Sequence, residues 1–558
     1  MKSRLLSKFL TTILVGTMVA GSLVGCGQQT ATKPSEESQV STETQVNDDS
    51  DQTTEVVPEE ITYPLDTDIE LSIWVKDQLN LNSAFLNAED SPFHTGLSEK
   101  TGVDLEWQFP SAGTDKNTAY NLMLQEEKLP NIILGSVGGV QNGTELLQDG
   151  LIYDLTDYLP TYAPDYWEYI NRPENAEMLK ALKTDDGRLY SVAATVEGDY
   201  NITYCGPVIR QDWLDECGLE APVTMEDWEN VLVTFKEKYG AVFSFSQRRY
   251  NMAGIGNGTG AFTALVNRYY VDENNKVQCA AVQPEWKELL EIFHRWYDMG
   301  LLDKDFATMD DATLRSKVLN DEVGVSYTAM SQLSNWIGDA RKENTGANWQ
   351  GFEHPTVTPG EPTKYIQTRR DAYGGEVGAL ITTSCTEEEL ILALKFLNYG
   401  YTEEGIMYWN YGKEGETYTV DANGNVQWTE LITNDSTGIS DALSKYTGVS
   451  GLGITIQLAN FVQIKNEETS ANAVYKWIDN TIAKEYCLPI LAYTPDESME
   501  FSDLNGPINT RVSEMALKFI TGDESLDKFD DFVKELESLK LDEVIAIQQA
   551  AYDRYLNK

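Results

Sequence analysis

Val208-Ile-Arg-Gln-Asp-Trp-Leu-Asp-Glu-Cys-Gly-Leu-Glu-Ala-Pro-Val-Thr-Met-Glu-Asp-Trp228 is the stretch whose reading decides the fold class. Val208 to Arg210 reads as the end of a strand. Gln211 to Leu219 is a short helix closed by Gly218, since glycine accepts the left-handed backbone that ends helices. After Pro222 a second helix begins at Thr224, a good N-cap, with Asp227 at the capping-box position in place of the usual Glu. Trp228, Val231, Leu232 and Phe235 fall on one face of that helix, which assigns Trp228, and Trp213 before it, to a core.

The same strand-then-helix punctuation repeats upstream. Glu70-Leu-Ser-Ile-Trp-Val75 alternates and is β-rich, and a helix follows over Phe93 to Lys100, stopped by Thr101-Gly102. Val103 to Phe109 is a second alternating strand, Ala119 to Gln125 a helix, and Asn131-Ile-Ile-Leu134 an apolar strand. Asp185-Asp-Gly-Arg-Leu-Tyr190 reads as a turn and short strand. Alternating strands and helices indicate an α/β sheet wound from βαβ units. In such sheets ligands sit beyond the carboxyl ends of strands, where loops such as Gly135-Ser136-Val137-Gly138 emerge.

The first sixty residues have a different character. Lys2, Arg4 and Lys8 precede an uncharged apolar run from Phe9 to Val24, the layout of a secretory signal and too short for a comfortable membrane span. The run ends Leu23-Val24-Gly25-Cys26, which resembles a bacterial lipobox. That resemblance implies cleavage after residue 25 and lipidation of Cys26. From Gly27 to about Ile61 the chain is Ser, Thr, Gln, Asp, Glu and Pro, too poor in apolar surface to offset its ordering entropy, so a solvated leash is expected. Signal, anchor and leash place the protein on the outer face of the cell membrane.

Nearly five hundred residues remain, and two lobes are the natural expectation for that length. With 42 basic and 89 acidic side chains the formal charge is −47. This argues against nucleic acid, whose binding requires Lys and Arg to neutralise phosphates. Cys205, Cys217, Cys279, Cys385 and Cys487 are scattered and form no CxxC pair, which excludes the common zinc and iron–sulfur patterns and leaves one disulfide possible. The three histidines, His94, His294 and His354, form no spaced metal arrangement, and no G-x-S-x-G elbow occurs. Gly254-Ile-Gly-Asn-Gly-Thr-Gly260 lacks the Gly-Lys-Ser/Thr ending of a phosphate cradle; it reads as a loop able to bring Asn257 to sugar hydroxyls. Asp272-Glu-Asn-Asn-Lys276 lacks the bend glycine and distal glutamate of a calcium loop, so a hairpin turn is expected. No cofactor and no structural metal are expected.

Gly206-Pro-Val-Ile-Arg-Gln-Asp-Trp-Leu214 with Gly218-Leu219 and Pro222-Val-Thr-x-x-Asp-Trp228 is similar to a signature of extracellular solute-binding lipoproteins of ABC transporters, in the large oligosaccharide-binding family. Phe396 to Gly405 leading into Asn410 to Tyr418, the hairpin Tyr270 to Val277 before Pro284-Glu-Trp-Lys, and the tail motifs Lys518 to Gly522 and Tyr552 to Tyr555 agree with it. The likeness runs from about Leu71 to the end. It implies a two-lobed periplasmic-binding-protein-like fold of type II, each lobe a mainly parallel sheet flanked by helices, with the chain crossing the hinge more than once. On that basis residues 1–25 are the signal, 26–62 the lipidated tether, 63–200 and 374–445 the first lobe, and 201–373 and 446–558 the second. The resemblance also implies a monomer that hands an oligosaccharide to membrane permease subunits and does no chemistry on it.

Sugar binding needs aromatic faces for the C–H face of the ring and planar polar groups for its hydroxyls. Trp74, beside Lys76 and Asp77 at the end of the first strand, fits. So do Trp336 in Ser331-Gln-Leu-Ser-Asn-Trp, following the strand that contains Tyr327, and the loop Arg369-Arg370-Asp371-Ala-Tyr373-Gly374-Gly375. Trp409 lies in a motif of the family and is equally a structural candidate. Arg210 either reaches the cleft or pairs with Asp212 or a nearby carboxylate. The expected ligand set is therefore Trp74, Lys76, Asp77, Ser136, Arg210, Asn257, Tyr327, Trp336, Arg370, Tyr373 and Trp409. A surface-tethered glycoside hydrolase or adhesin is the main alternative, because a hydrolase needs only two spaced carboxylates. A peptide-binding transport protein is the third.

Overall fold

Ten strands build two sheets, and a further four pair off as two hairpins. The computed structural model describes residues 60–558 apart from 77–89, 112–113, 137–138, 202, 248–255, 261–268, 367, 369–372, 437–438, 449–452 and 480. Internal contacts separate Met1–Glu55 from Val56–Lys558, and only the second unit is considered from here. The signal segment and Cys26 lie outside the described residues.

The first sheet contains β1 (Glu70–Val75), β2 (Asp104–Gln108), β3 (Ile132–Ser136) and β4 (Ser191–Val196), joined later by β11 (Tyr373–Ile381) and β14 (Ile456–Gln457). Their order is β14-β4-β11-β3-β1-β2. The second contains β5 (Cys205–Arg210), β6 (Val242–Ser244), β9 (Val323–Ala329) and β10 (Trp349–Gly351), in the order β10-β5-β9-β6. The hairpins are β7 (Tyr269–Val271) with β8 (Val277–Cys279), and β12 (Tyr418–Val420) with β13 (Val426–Trp428). The turn read at 185–190 is present, held by Thr184 N–H donating to Arg188 O at 3.0 Å, but its strand starts at Ser191.

Local chemistry places the helices as read. Gly218 closes Gln211–Cys217 at φ 67°, and Thr224 with Asp227 forms a complete capping box for Met225–Tyr239. Trp228, Val231, Leu232 and Phe235 are all buried. Each large side chain so buried contributes about 1.5–3 kcal/mol relative to exposure. Gly240 ends that helix at φ 74° and leads directly into β6, with no intervening metal loop. The five described cysteines are free thiols, four buried and Cys217 half-buried.

One strand in each sheet runs backwards, for a shared reason. β1, β2 and β3 are parallel and β14 is parallel to β4, whereas β11 is antiparallel to both neighbours, β3 and β4. In the second sheet β6 and β9 are parallel and β5 is antiparallel to β9 and β10, so this sheet is mixed rather than mainly parallel. The reversed strands, β5 and β11, are those the chain enters directly from the other sheet, without a crossover helix to restore direction. The chain leaves β4 at Val196 and enters β5 at Cys205; it leaves β10 at Gly351 and enters β11 at Tyr373.

A third passage leaves β14 at Gln457 through the helix Ala459–Ile464 into Glu468–Ile478, which packs on β5 and β10. Residues 446–558 were expected with the second sheet; Ile456–Gln457 pairs with Thr195 and Val196 in the first. The C-terminal helix ties the two regions together again. Arg554 pairs with Glu497 and Asp185, each at 2.5 Å, and Tyr555 Oη donates to Glu177 Oε2 at 3.0 Å.

Candidate functional site

The three passages fix where the sheets meet. Each departs from the carboxyl end of a strand (β4, β10 or β14), so the carboxyl ends of β1, β3, β4, β14, β6, β9 and β10 share one junction with the amino ends of β5 and β11. This is where an open α/β sheet offers loops to a ligand. Ser136 stands there opposite Val377, and Tyr373 opposite Thr195. Lys76 follows β1, its backbone N–H donating to Leu134 O at 3.0 Å and its ammonium 4.8 Å from the Tyr120 ring centre. Asp77 and Arg370, with its neighbour Arg369, lie outside the described residues.

Six of the expected ligand residues are instead internal, and each has a physical reason. Trp74 alternates with Leu71, Ile73 and Val75, but helices cover both faces of the sheet. It therefore packs with Tyr120, Met123 and Ile133 in a second core while its neighbours fill the first. Tyr327 is fully buried in β9 for the same reason. Trp336 lies on Met330–Lys342 in register with Met330, Leu333 and Ala340, a core stripe at helical spacing, with its ring 5.4 Å from Trp349. Trp409 packs 4.9 Å from Phe93 and, with Trp107 and Phe396, lines a cavity of about 10 Å³, too small for more than one water.

Arg210 takes the pairing alternative. Its guanidinium forks onto Asp212 at 2.6 and 2.9 Å, reaches Asp321 at 2.5 Å and lies 4.1 Å from the Trp213 ring centre. Asn257 clamps a neighbouring loop. Its amide donates to Pro355 O at 2.8 Å, and its oxygen accepts from Lys364 and Tyr365 N–H at 2.9 and 3.0 Å.

His354 and His94 are buried, and burial holds them neutral, with pKa values lowered to about 3 and about 4. His294 bonds Ile520 O at 3.1 Å. In the β7–β8 hairpin Asp272 accepts from the N–H groups of Asn274 and Lys276 and from Gln278. Among the described residues no three His, Cys, Asp or Glu side chains converge as a metal site.

Residues that the sequence reading passed over stand at the passages themselves. Glu197 follows β4 and caps the helix Ala459–Ile464 by accepting from Ala459 N–H at 2.8 Å. Tyr200, in the first passage, donates to Ala471 O at 2.9 Å, and burial raises its phenol pKa. Tyr475, on Glu468–Ile478, is 49 % exposed; its oxygen accepts from Gln463 Nε2 at 2.8 Å and its ring lies 5.2 Å from that of Tyr200. The available signal was helical spacing: Ala471, Val474 and Trp477 form the buried stripe, and Tyr475 is an aromatic off that stripe. A separate groove of about 440 Å³, lined by Thr95, Glu99, Lys100, Lys413 and Tyr446 among others, is built from elements around the first sheet alone.

Residues 85–407 match the family model described as bacterial extracellular solute-binding protein. The chain is 25% identical to lipoprotein LipO of Bacillus subtilis (strain 168), over 82% of this chain and 89% of that protein. It is 23% identical to the fructooligosaccharide ABC transporter substrate-binding protein FusA of Streptococcus pneumoniae serotype 4, over 82% and 86%. Among solved structures, alginate-binding protein AlgQ2 without calcium superimposes with a TM-score of 0.70 at 20% identity, covering 89% of this chain and all of that one (100%). FusA in complex with kestose gives 0.68 at 18% identity, covering 88% and 100%. The fold is thus the type II, two-lobed fold of the solute-binding proteins. Since the family model spans more than half of the sequence, the chain belongs to the bacterial extracellular solute-binding protein family.

Proposed function

We propose that this protein captures an oligosaccharide at the junction of its two sheets and delivers it unaltered to the permease subunits of an ABC importer. The observation that carries the reading is the three-passage junction itself. Both sheets direct strand ends to these passages, and the one from Val196 to Cys205 is short enough to act as a hinge. The names of the relatives support a sugar cargo, FusA with fructooligosaccharide above all. On this reading residues 63–196 and 373–457 move as one lobe, and 205–351 and 468–558 as the other. Ser136 and Tyr373, at the strand ends, and Asp77 and Arg370, near them in sequence, serve as polar contacts to the cargo.

Closure follows from differential affinity. A sugar that touches both lobes only when they are shut stabilises the shut state by the difference. Lipidation of Cys26 and the leash to residue 61 keep the monomer near its permease while leaving it free to rotate, and its relative LipO is described as a lipoprotein. The test is small-angle scattering with and without a panel of oligosaccharides. A sugar that shrinks the radius of gyration, and that cells lacking the protein fail to import, supports the reading. Hydrolysis of that sugar, or equal import without the protein, sinks it. Cys26→Ala is expected to release the protein into the medium with its sugar affinity unchanged.

A further inference from the structure

Among the described residues all twelve tryptophans are buried or half-buried, and Tyr475 is the most exposed Phe, Tyr or Trp ring, at 49 %. An exposed ring on a helix surface is ordinary by itself. This one is held in place. Gln463 Nε2 donates to its oxygen at 2.8 Å, and Tyr200 stands 5.2 Å away at 56°, itself fixed by its hydrogen bond to Ala471 O at 2.9 Å. The three side chains come from different parts of the junction. Tyr200 belongs to the passage from β4 to β5, Gln463 to the helix after β14, and Tyr475 to the helix that packs on β5 and β10.

Orienting a surface tyrosine from two separate crossing segments costs side-chain entropy while about half of the residue stays in water, so burial alone does not account for it. A ring braced by Tyr200 and Gln463, half open to water and standing beside two of the segments that cross between the sheets, is pre-organised for stacking. We infer that Tyr475 is the platform on which one sugar ring of the cargo lays its C–H face, with Gln463 and Tyr200 as its positioning residues. The inference rests on the oligosaccharide reading and adds to it a specific contact at the hinge side of the junction. Because the platform is built from two of the three crossing segments and a helix of the second lobe, it takes its working geometry only when those segments are correctly set. It therefore couples cargo contact to hinge position.

The test uses the full mature chain and calorimetric titration with kestose, xylotriose, mannotriose and trigalacturonate, followed by variants with whichever probe binds. Tyr475→Ala is expected to weaken that sugar about tenfold or more, the usual loss on removing a buried aromatic anchor. Tyr475→Phe, which keeps the ring, is expected to stay within about threefold, and Gln463→Ala to fall between the two. The melting temperature of sugar-free Tyr475→Ala should stay within about 2 °C of the parent, because an exposed side chain is removed. Tyr475→Ala titrating like the parent overturns the inference while leaving the oligosaccharide reading intact. A loss in Tyr475→Phe equal to that in Tyr475→Ala overturns stacking in favour of the hydroxyl. A parent chain that binds none of the probes overturns both readings together.

Discussion

Replacing Arg210 by methionine separates the two roles the sequence leaves open for it. The guanidinium is 4% exposed and lies between the faces of Trp213 and Trp349, at 4.1 and 6.0 Å, while forking onto Asp212 and reaching Asp321. Removing one partner of a buried pair costs about 3–5 kcal/mol when the other charge stays buried. Here Asp212 is 30% and Asp321 58% exposed, so both carboxylates rehydrate and that penalty is reduced. Loss of the cation over Trp213 adds about 1 kcal/mol. A net destabilisation of about 3 kcal/mol is expected, read as a lower urea midpoint at unchanged slope. Calorimetric titration with a bound oligosaccharide should give an affinity within about twofold of the parent. A tenfold loss of affinity at an unchanged midpoint would place Arg210 against the ligand and refute the pairing described for it.

Three further outcomes follow from buried groups. His94 and His354 are held neutral when folded, with pKa values of about 4 and about 3 against an ordinary 6.5. Stability should therefore be complete above pH ~6.5 and fall below it, by about 2 kcal/mol for each histidine at pH 5. Urea midpoints between pH 7 and 5 check this, and His94→Asn should roughly halve the decline. Gly206→Ala sets a Cβ 2.3 Å from Trp477 Cδ1, and that fully buried indole is fixed by donating to Pro207 O at 3.2 Å. A loss of about 2–3 kcal/mol in thermal unfolding is expected. Trp74→Ala and Trp336→Ala should each lower stability by about 3–5 kcal/mol in the same assay, as core truncations do.

The fold was legible where backbone signals are local. Thr224 with Asp227, Gly218, Gly240 and the alternation over Glu70–Val75 set element ends and faces that the structure keeps. The backward run of β5 and β11 was not legible, because strand direction depends on which sheet the chain comes from and no residue encodes that locally. Site residues were harder for the same reason. Position within a strand signals burial only when one face is known to meet water, and both faces of the first sheet are covered, so Trp74 at a strand end is internal. Trp336 sits in a polar stretch after a strand, yet Met330, Leu333 and Ala340 mark a helical stripe through it. Tyr475 shows the converse, since an aromatic set off a stripe of Ala471, Val474 and Trp477 is readable once the helix is recognised. Arg210 lay between the two, as its partner Asp212 is adjacent in sequence while Asp321 is distant.

The most direct test of the central claim is one titration carried through to chemical analysis. The mature chain is mixed with an oligosaccharide from the panel, the heat of binding is recorded, and the sugar is recovered after prolonged incubation and sized by chromatography. Saturable binding at one sugar per chain, with the sugar recovered at its original length, is the predicted result. Recovery of shorter sugars, or no binding of any oligosaccharide at millimolar concentration, would contradict it.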